Sequence, residues 1–151
     1  MSNIISLYDG KFSMEVDNRF KESSHPGKYI LSGNIDYVYV DETSDTFITI
    51  TKTDFPAPNS LEIRMNEYCS IYKRSVANLA NVKLSKKTMI SGKEIGLFSY
   101  TSTTTTRNLM NYVLVSSVED KEILITLHCD IEKMAEMFLT VRNIIDSIDI
   151  L

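Results

Sequence analysis

Residues 94–128, EIGLFSYTSTTTTRNLMNYVLVSSVEDKEILITLH, decide the fold class. β-Branched and aromatic residues, which favour extended backbone, dominate this stretch and predict three long strands over 94–106, 109–118 and 122–128. Glu119-Asp120-Lys121 is the expected turn between the last two strands. Arg107-Asn108 is either a second turn or part of one bent strand pair. The stretch therefore predicts an antiparallel sheet.

Shorter strands are predicted on the N-terminal side of this stretch. Residues 4–8 and 11–16 flank Asp9-Gly10, a dipeptide that supplies the positive φ angles of a tight hairpin turn. After a polar loop over 18–27, residues 29–31, 35–40 and 47–53 are strand candidates, and the last two surround an acidic turn. Val82 to Lys87 also alternates, and Ser91-Gly92 is a turn signal.

Two amphipathic helices complete the predicted architecture. The first begins at a cap provided by Asn59 or Ser60, runs to about residue 78, and has an apolar face of Leu61, Met65, Tyr68, Tyr72, Val76 and Leu79. The second covers 131–147 after an Asp130 cap, with a stripe of Ile131, Met134, Phe138, Val141, Ile145 and Ile148. We therefore expect one α+β domain over residues 1–151, in which two helices cover an antiparallel sheet.

Composition limits the classes of function. The chain has 151 residues and a net charge of −4, and its basic residues form no concentrated patch, so nucleic acid is not an expected partner. The nearest approach is Lys83, Lys86, Lys87 and Lys93, which we interpret as a solvated sheet edge. A signal peptide and an apolar run long enough to span a membrane are both absent from the sequence, and its two cysteines form no CxxC motif. These features favour a cytoplasmic location.

Catalytic motifs are also absent from the sequence. Phosphate-binding loops and the nucleophile elbow do not occur, and the histidines and cysteines have no metal-ligand spacing. His128 and Cys129 are adjacent, but neighbouring strand residues point to opposite faces, so they should not meet. Gly96, inside a predicted strand, indicates a bulge or a close backbone approach. We expect no enzyme activity, no cofactor and no metal.

Two stretches are candidate protein-binding surfaces. The acidic turn offers Asp41, Glu42 and Asp45 to a basic partner. The threonine-rich strand, either a solvated strand end or a surface for a partner peptide, offers Tyr100, Thr103, Thr105 and Arg107. An alternative is a small-molecule or lipid pocket between sheet and helix, lined by Tyr37, Tyr39, Met65 and Phe98. The expected partner is another protein, and a homodimer is an open alternative.

The order of elements resembles the PsbP-like fold. Three segments carry the resemblance: the hairpin LYDGKFSMEV at 7–16, the passage through Phe55-Pro56 into a helix at Leu61, and the closing IIDSIDI at 144–150. The fold family includes PsbP, a yeast Ran-binding nuclear import factor, DcrB-type proteins and Eag-type secretion chaperones. The resemblance implies non-enzymatic protein binding and transfers no catalytic residue. We expect a bacterial binding module, such as a secretion-effector chaperone or a toxin-neutralising immunity protein.

Overall fold

A hairpin opens the chain, as the Asp9-Gly10 dipeptide predicts. The computed structural model describes residues 2–23, 35–56, 60–75, 79–90, 93–103 and 108–150. Strands β1 (Ser2–Leu7) and β2 (Phe12–Asp17) pair antiparallel. Asp9 and Gly10 have φ angles of 57° and 80°, and the Lys11 amide donates to the Tyr8 carbonyl at 3.1 Å. Positive φ at both central residues matches the twist of the two strands.

Seven strands form the large sheet, and every neighbouring pair is antiparallel. They follow the spatial order β3-β4-β5-β9-β8-β7-β6. Their bounds are β3 Lys21–Glu22, β4 Tyr37–Asp41, β5 Thr46–Pro56, β6 Leu79–Ile90, β7 Lys93–Thr103, β8 Asn108–Val118 and β9 Lys121–Asp130. The short β10 (Asp149–Ile150) pairs with β2 in the smaller sheet. The predicted α+β class, with an antiparallel sheet and an N-terminal hairpin, is confirmed.

Several predicted boundaries change in the structure. The polar loop over 18–27 contains β3, whose two residues pair with β4, and β5 continues to Pro56 instead of stopping before Phe55. Lysines 83, 86 and 87 lie on β6, which ends the strand order of the large sheet, whereas Lys93 begins β7. The predicted strand 29–31, the turn Ser91-Gly92 and the alternative cap Asn59 lie outside the described residues.

Two helices connect and complete the sheets. Helix α1 (Leu61–Ser75) begins after Ser60, whose hydroxyl accepts the Ile63 amide at 3.4 Å. Helix α2 (Met134–Ser147) follows a 3₁₀ turn at Ile131–Lys133. The predicted Asp130 cap is wrong, because β9 runs through Asp130 and its side chain makes no capping hydrogen bond to the turn. The 3₁₀ turn separates Asp130 from the first turn of α2, which it therefore cannot cap.

The large sheet is packed on both faces. On one face, the hairpin and α2 cover alternate β9 residues Ile123, Ile125, Leu127 and Cys129. The predicted stripe of α2 is confirmed in part: Val141, Ile145 and Ile148 are buried, together with Met137 and Ile144, whereas Met134 and Phe138 are 47% and 44% exposed. On the opposite face, α1 packs Leu61, Met65 and Tyr68 against Phe98, Val113 and Val115. Two separate clusters therefore share one sheet.

Gly96 allows α1 to approach the sheet closely. A Cβ built at Gly96 would lie 2.9 Å from Cγ of Met65 and closer still to its sulfur. Real Cβ atoms do not approach neighbours this closely, so only glycine fits without movement of Met65. The expected close backbone approach at Gly96 is confirmed.

Candidate protein-binding surface

The acidic turn after β4 is organised by Asp41. Its buried carboxylate accepts the Thr43 amide at 3.1 Å, the Thr43 hydroxyl at 2.6 Å and the Ser44 hydroxyl at 2.8 Å. Burial alone would raise the pKa of Asp41, but these hydrogen bonds outweigh it and hold the pKa below its ordinary value. Asp41 is only 2% exposed and shapes the turn, so the exposed carboxylates there belong to Glu42 and Asp45.

A polar groove of about 370 Å³ lies between β2 and α2. Three carboxylates line it, from Glu15 and Asp17 on the strand and Asp146 on the helix. The Ser147 hydroxyl closes its base, where it accepts the Glu15 amide at 2.8 Å. The groove is therefore a rigid acidic depression between two firmly packed elements.

The groove and the acidic turn belong to one surface. A narrow cleft beside the turn is lined by Asp41, Ser44, Glu136 and Thr140, and Thr140 also lines the groove. The turn reaches this cleft through Asp41 and Ser44, and its exposed carboxylates are Glu42 and Asp45. We call the groove, the cleft and this adjoining turn the acidic face, with carboxylates from Glu15, Asp17, Glu42, Asp45, Glu136 and Asp146. Arg19 pairs with Asp17 at 3.1 Å and lies 3.8 Å from Asp41, so Arg19 neutralises part of the negative charge of the acidic face. Lys133 is the other cation of the cleft.

The threonine-rich candidate surface is only partly described. Tyr100 is half-buried, packs against the α1 cluster, and its carbonyl accepts the side-chain amide of Asn111 at 3.4 Å. Thr103 is the last residue of β7 and pairs with Asn108. Thr105 and Arg107 lie outside the described residues. Tyr100 therefore supports the sheet, and the partner role of this stretch stays a prediction.

The predicted pocket between sheet and helix does not form from the residues expected to line it. Tyr39 is buried in the cluster beneath the hairpin and α2, and Tyr37 packs against that cluster. Met65 and Phe98 are fully buried in the α1 cluster, on the opposite face of the sheet. The expectation is wrong because the sequence does not specify which helix covers which face of the large sheet, and the two pairs of residues lie on opposite faces.

A buried ion pair fastens α1 to the sheet, and sequence reasoning missed it. Arg64 donates to both carboxylate oxygens of Glu122, with Nε at 2.6 Å and Nη2 at 3.2 Å, and Glu122 is fully buried. The Tyr68 hydroxyl also donates to Glu122 and accepts Arg64 Nη2 at 3.0 Å. Burial, and then the hydrogen bond to Glu122, raise the pKa of Tyr68. The hydrogen bond to Glu122 likewise raises the pKa of Arg64, so its guanidinium stays charged.

His128 is buried on the face of the large sheet that α1 covers. Its ring stacks on Phe47 with centroids 4.5 Å apart, and Nδ1 lies 2.5 Å from Oδ1 of Asn111. The Asn111 amide nitrogen donates to Ser102 at 3.0 Å, which turns Oδ1 toward the ring and places the proton on Nδ1. Burial lowers the pKa of His128 to about 4, so the ring is neutral. Cys129, a buried cysteine that forms no disulfide, points into the opposite cluster, as predicted.

Within the described ranges, His, Cys, Asp and Glu form no cluster suited to a metal ion. Over the same ranges, neither α1 nor α2 is long and apolar enough to cross a membrane.

Comparison with known proteins places the fold. No family model matches the sequence, and no curated protein is significantly similar to it. The Ran-binding protein Mog1p of Saccharomyces cerevisiae is 9% identical with a TM-score of 0.65, covering 99% of this chain and 95% of its own. Cyanobacterial PsbP (CyanoP) of Synechocystis is 13% identical with a TM-score of 0.68, covering 99% and 92%.

A third structure, the Pseudomonas aeruginosa protein of unknown function PA94, is 12% identical with a TM-score of 0.52 and covers 96% of this chain and 94% of its own. The three matches run over nearly the whole length of both partners, although few residues are identical. The matches cover 96–99% of this chain, which includes the hairpin, the two-sided sheet and the two helices described above. The chain has the PsbP-like fold.

Proposed function

We propose that the chain is a non-enzymatic protein-binding module whose acidic face recognises a basic surface on its partner. The observation that carries the proposal is that Thr140 lines both the groove at Glu15 and Asp146 and the cleft at Asp41, whose turn carries the exposed Glu42. Carboxylates collected on one side of a protein attract cationic partners, increase association rates and disfavour acidic competitors.

The rigidity of this surface supports a binding role. The Asp41 hydrogen bonds fix the backbone from which Glu42 projects, and the Ser147 bond fixes β2 against α2. A preorganised surface loses little conformational entropy when a partner binds. Charged groups on such a surface therefore contribute more of their interaction free energy to the complex.

The fold adds support of a general kind, because the yeast protein with this fold is a Ran-binding protein. We put forward two specific roles: an immunity protein that neutralises a toxin, and a chaperone or adaptor for a secreted effector. Both require specific binding of one protein and no chemistry. Either role would operate in the bacterial cytoplasm, where cysteines outside disulfides, such as Cys129, are usual.

The test begins with affinity capture from the source organism by the wild-type chain and by a Glu42→Lys/Glu136→Lys variant. Both glutamates are exposed, so the fold should be unaffected. We expect the wild type to recover a basic protein and the variant to recover much less of it. With the purified partner, the variant should associate about tenfold more slowly at low ionic strength, and the difference should shrink as salt is added.

Asp54→Lys provides the matched control, since Asp54 is an exposed carboxylate on β5 and lies outside the acidic face. It makes the same change of charge at one site and should leave the association rate within about twofold of wild type. Equal binding by the Glu42→Lys/Glu136→Lys variant would refute the role of the acidic face. Failure to recover any reproducible partner would refute the binding module itself.

A further inference from the structure

Helix α2 has an apolar stripe on the side turned away from the core. Phe138 and Leu139 are 44% and 62% exposed, and Met134, one turn before Phe138, is 47% exposed. Ala135, which lies three residues before Phe138 and four before Leu139, is also exposed. This spacing places the four side chains side by side on the helix surface. We call Met134, Ala135, Phe138 and Leu139 the outer stripe.

Charges of opposite sign stand at the two ends of the outer stripe. Glu132 lies in the 3₁₀ turn, three residues before Ala135, and Arg142 lies in α2, three residues after Leu139. Both side chains are exposed, and neither makes an ion pair with any other residue that the structure describes. The stripe is therefore acidic at its beginning, apolar in its middle and basic at its end.

We propose that the outer stripe binds a second copy of this chain, with the two α2 helices antiparallel about a two-fold axis near Met137. In this arrangement Glu132 of each copy faces Arg142 of its partner, and Ala135 faces Leu139. The small side chain of Ala135 lets the helices approach while Leu139 fills the space opposite it. A parallel arrangement would instead oppose Glu132 to Glu132 and Arg142 to Arg142, so the charges select the antiparallel one.

The dimer goes beyond the proposed function, because it needs no other protein. On one side of the outer stripe, Phe138 lies beside Tyr112 of β8, with ring centroids 6.2 Å apart. On its other side, Asn143 and Asp146, which line the acidic groove, follow Leu139 by four and seven residues, so the groove adjoins the stripe.

Sedimentation equilibrium of the full chain over micromolar to millimolar concentrations tests the proposal. A helix pair is a small interface, so we expect a reversible dimer with a micromolar dissociation constant. Glu132→Arg and Arg142→Glu should each weaken the dimer about tenfold or more, because each opposes like charges twice. The Glu132→Arg/Arg142→Glu double variant should restore dimerisation, since both ion pairs re-form with reversed sign. Leu139→Ser should weaken it without any change of charge.

Glu62→Arg is the control, because Glu62 is an exposed carboxylate on α1, away from the outer stripe. It should dimerise like the wild type. A wild-type chain that stays monomeric at every concentration would overturn the proposal and leave the stripe to another protein. Dimerisation that survives both single reversals, or that the double reversal fails to restore, would overturn the antiparallel arrangement. Because no partner is needed, these outcomes are independent of the test of the acidic face.

Discussion

Replacing Gly96 with alanine tests whether the close contact between α1 and β7 requires a residue without a Cβ. The added Cβ would overlap the Met65 side chain, whose Cγ would be 2.9 Å away. Met65 is buried between Leu61, Tyr68, Phe98 and the sheet, so it cannot move aside into solvent. Overpacking of this kind typically lowers the free energy of unfolding by about 1–3 kcal/mol, and we expect a loss within that range.

The assay is urea unfolding followed by far-ultraviolet circular dichroism, analysed as a double-mutant cycle with Met65→Ala. Met65→Ala alone removes a buried side chain and should lower the free energy of unfolding by about 2–5 kcal/mol. In the Gly96→Ala/Met65→Ala variant the new methyl group enters the space that Met65 leaves. The double variant should therefore lose at least about 1 kcal/mol less than the sum of the single losses.

Gly10→Ala is the matched control for this cycle. Gly10 has a φ of 80°, but a Cβ there would meet nothing closer than the Ser6 hydroxyl at 3.9 Å. Its loss of about 1 kcal/mol would come from backbone strain and should add to that of Met65→Ala. If Gly96→Ala leaves stability unchanged within about 0.5 kcal/mol, or if its effect adds to that of Met65→Ala, the packing argument is refuted.

Two further predictions concern buried polar groups. His128 should make the chain less stable as the pH falls from 6.5 toward 4, because the unfolded chain binds a proton that the folded state, with its lowered pKa, does not. The pKa difference corresponds to about 3 kcal/mol, and pH-dependent urea titrations should show a slope in this interval that His128→Gln removes. Arg64→Met should lower the free energy of unfolding by about 3–5 kcal/mol, because it leaves the buried carboxylate of Glu122 without its cation. The Arg64→Met/Glu122→Gln variant should recover part of that loss. Equal stability of Arg64→Met and wild type in thermal melts would contradict the prediction.

Local signals in the sequence predicted much of the fold correctly. The hairpin follows from Asp9-Gly10, whose backbone preferences act within the four residues of the turn. Helix α1 begins after Ser60 because its hydroxyl accepts a hydrogen bond from the Ile63 amide, which has no acceptor within the helix. Gly96 marked the close approach of a neighbouring element, although the sequence could not name Met65 as its contact. The hairpin and the helix start depend on interactions within a short segment, whereas the contact at Gly96 joins two distant elements.

The candidate site depended on long-range pairing, which the sequence does not specify. Alternation along β9 separates Glu122 from Ile123 but does not say that α1 brings Arg64 over Glu122. Likewise, the spacing of apolar residues in α2 admits two neighbouring stripes, and only the position of the sheet decides that Val141 is buried and Phe138 is exposed. The acidic face was found only in part, because the groove between β2 and α2 joins residues more than a hundred positions apart.

The central position of β9 has a consequence for how the chain reaches its native state. The strands β3 to β5 form one meander and β6 to β8 another, and β9 is the strand that hydrogen-bonds to both. During synthesis, these six strands precede β9, which joins the two halves into one sheet in the part of the chain that the structure describes. Until β9 leaves the ribosome, each half exposes an unpaired inner edge rich in β-branched residues, a state in which aggregation competes with folding.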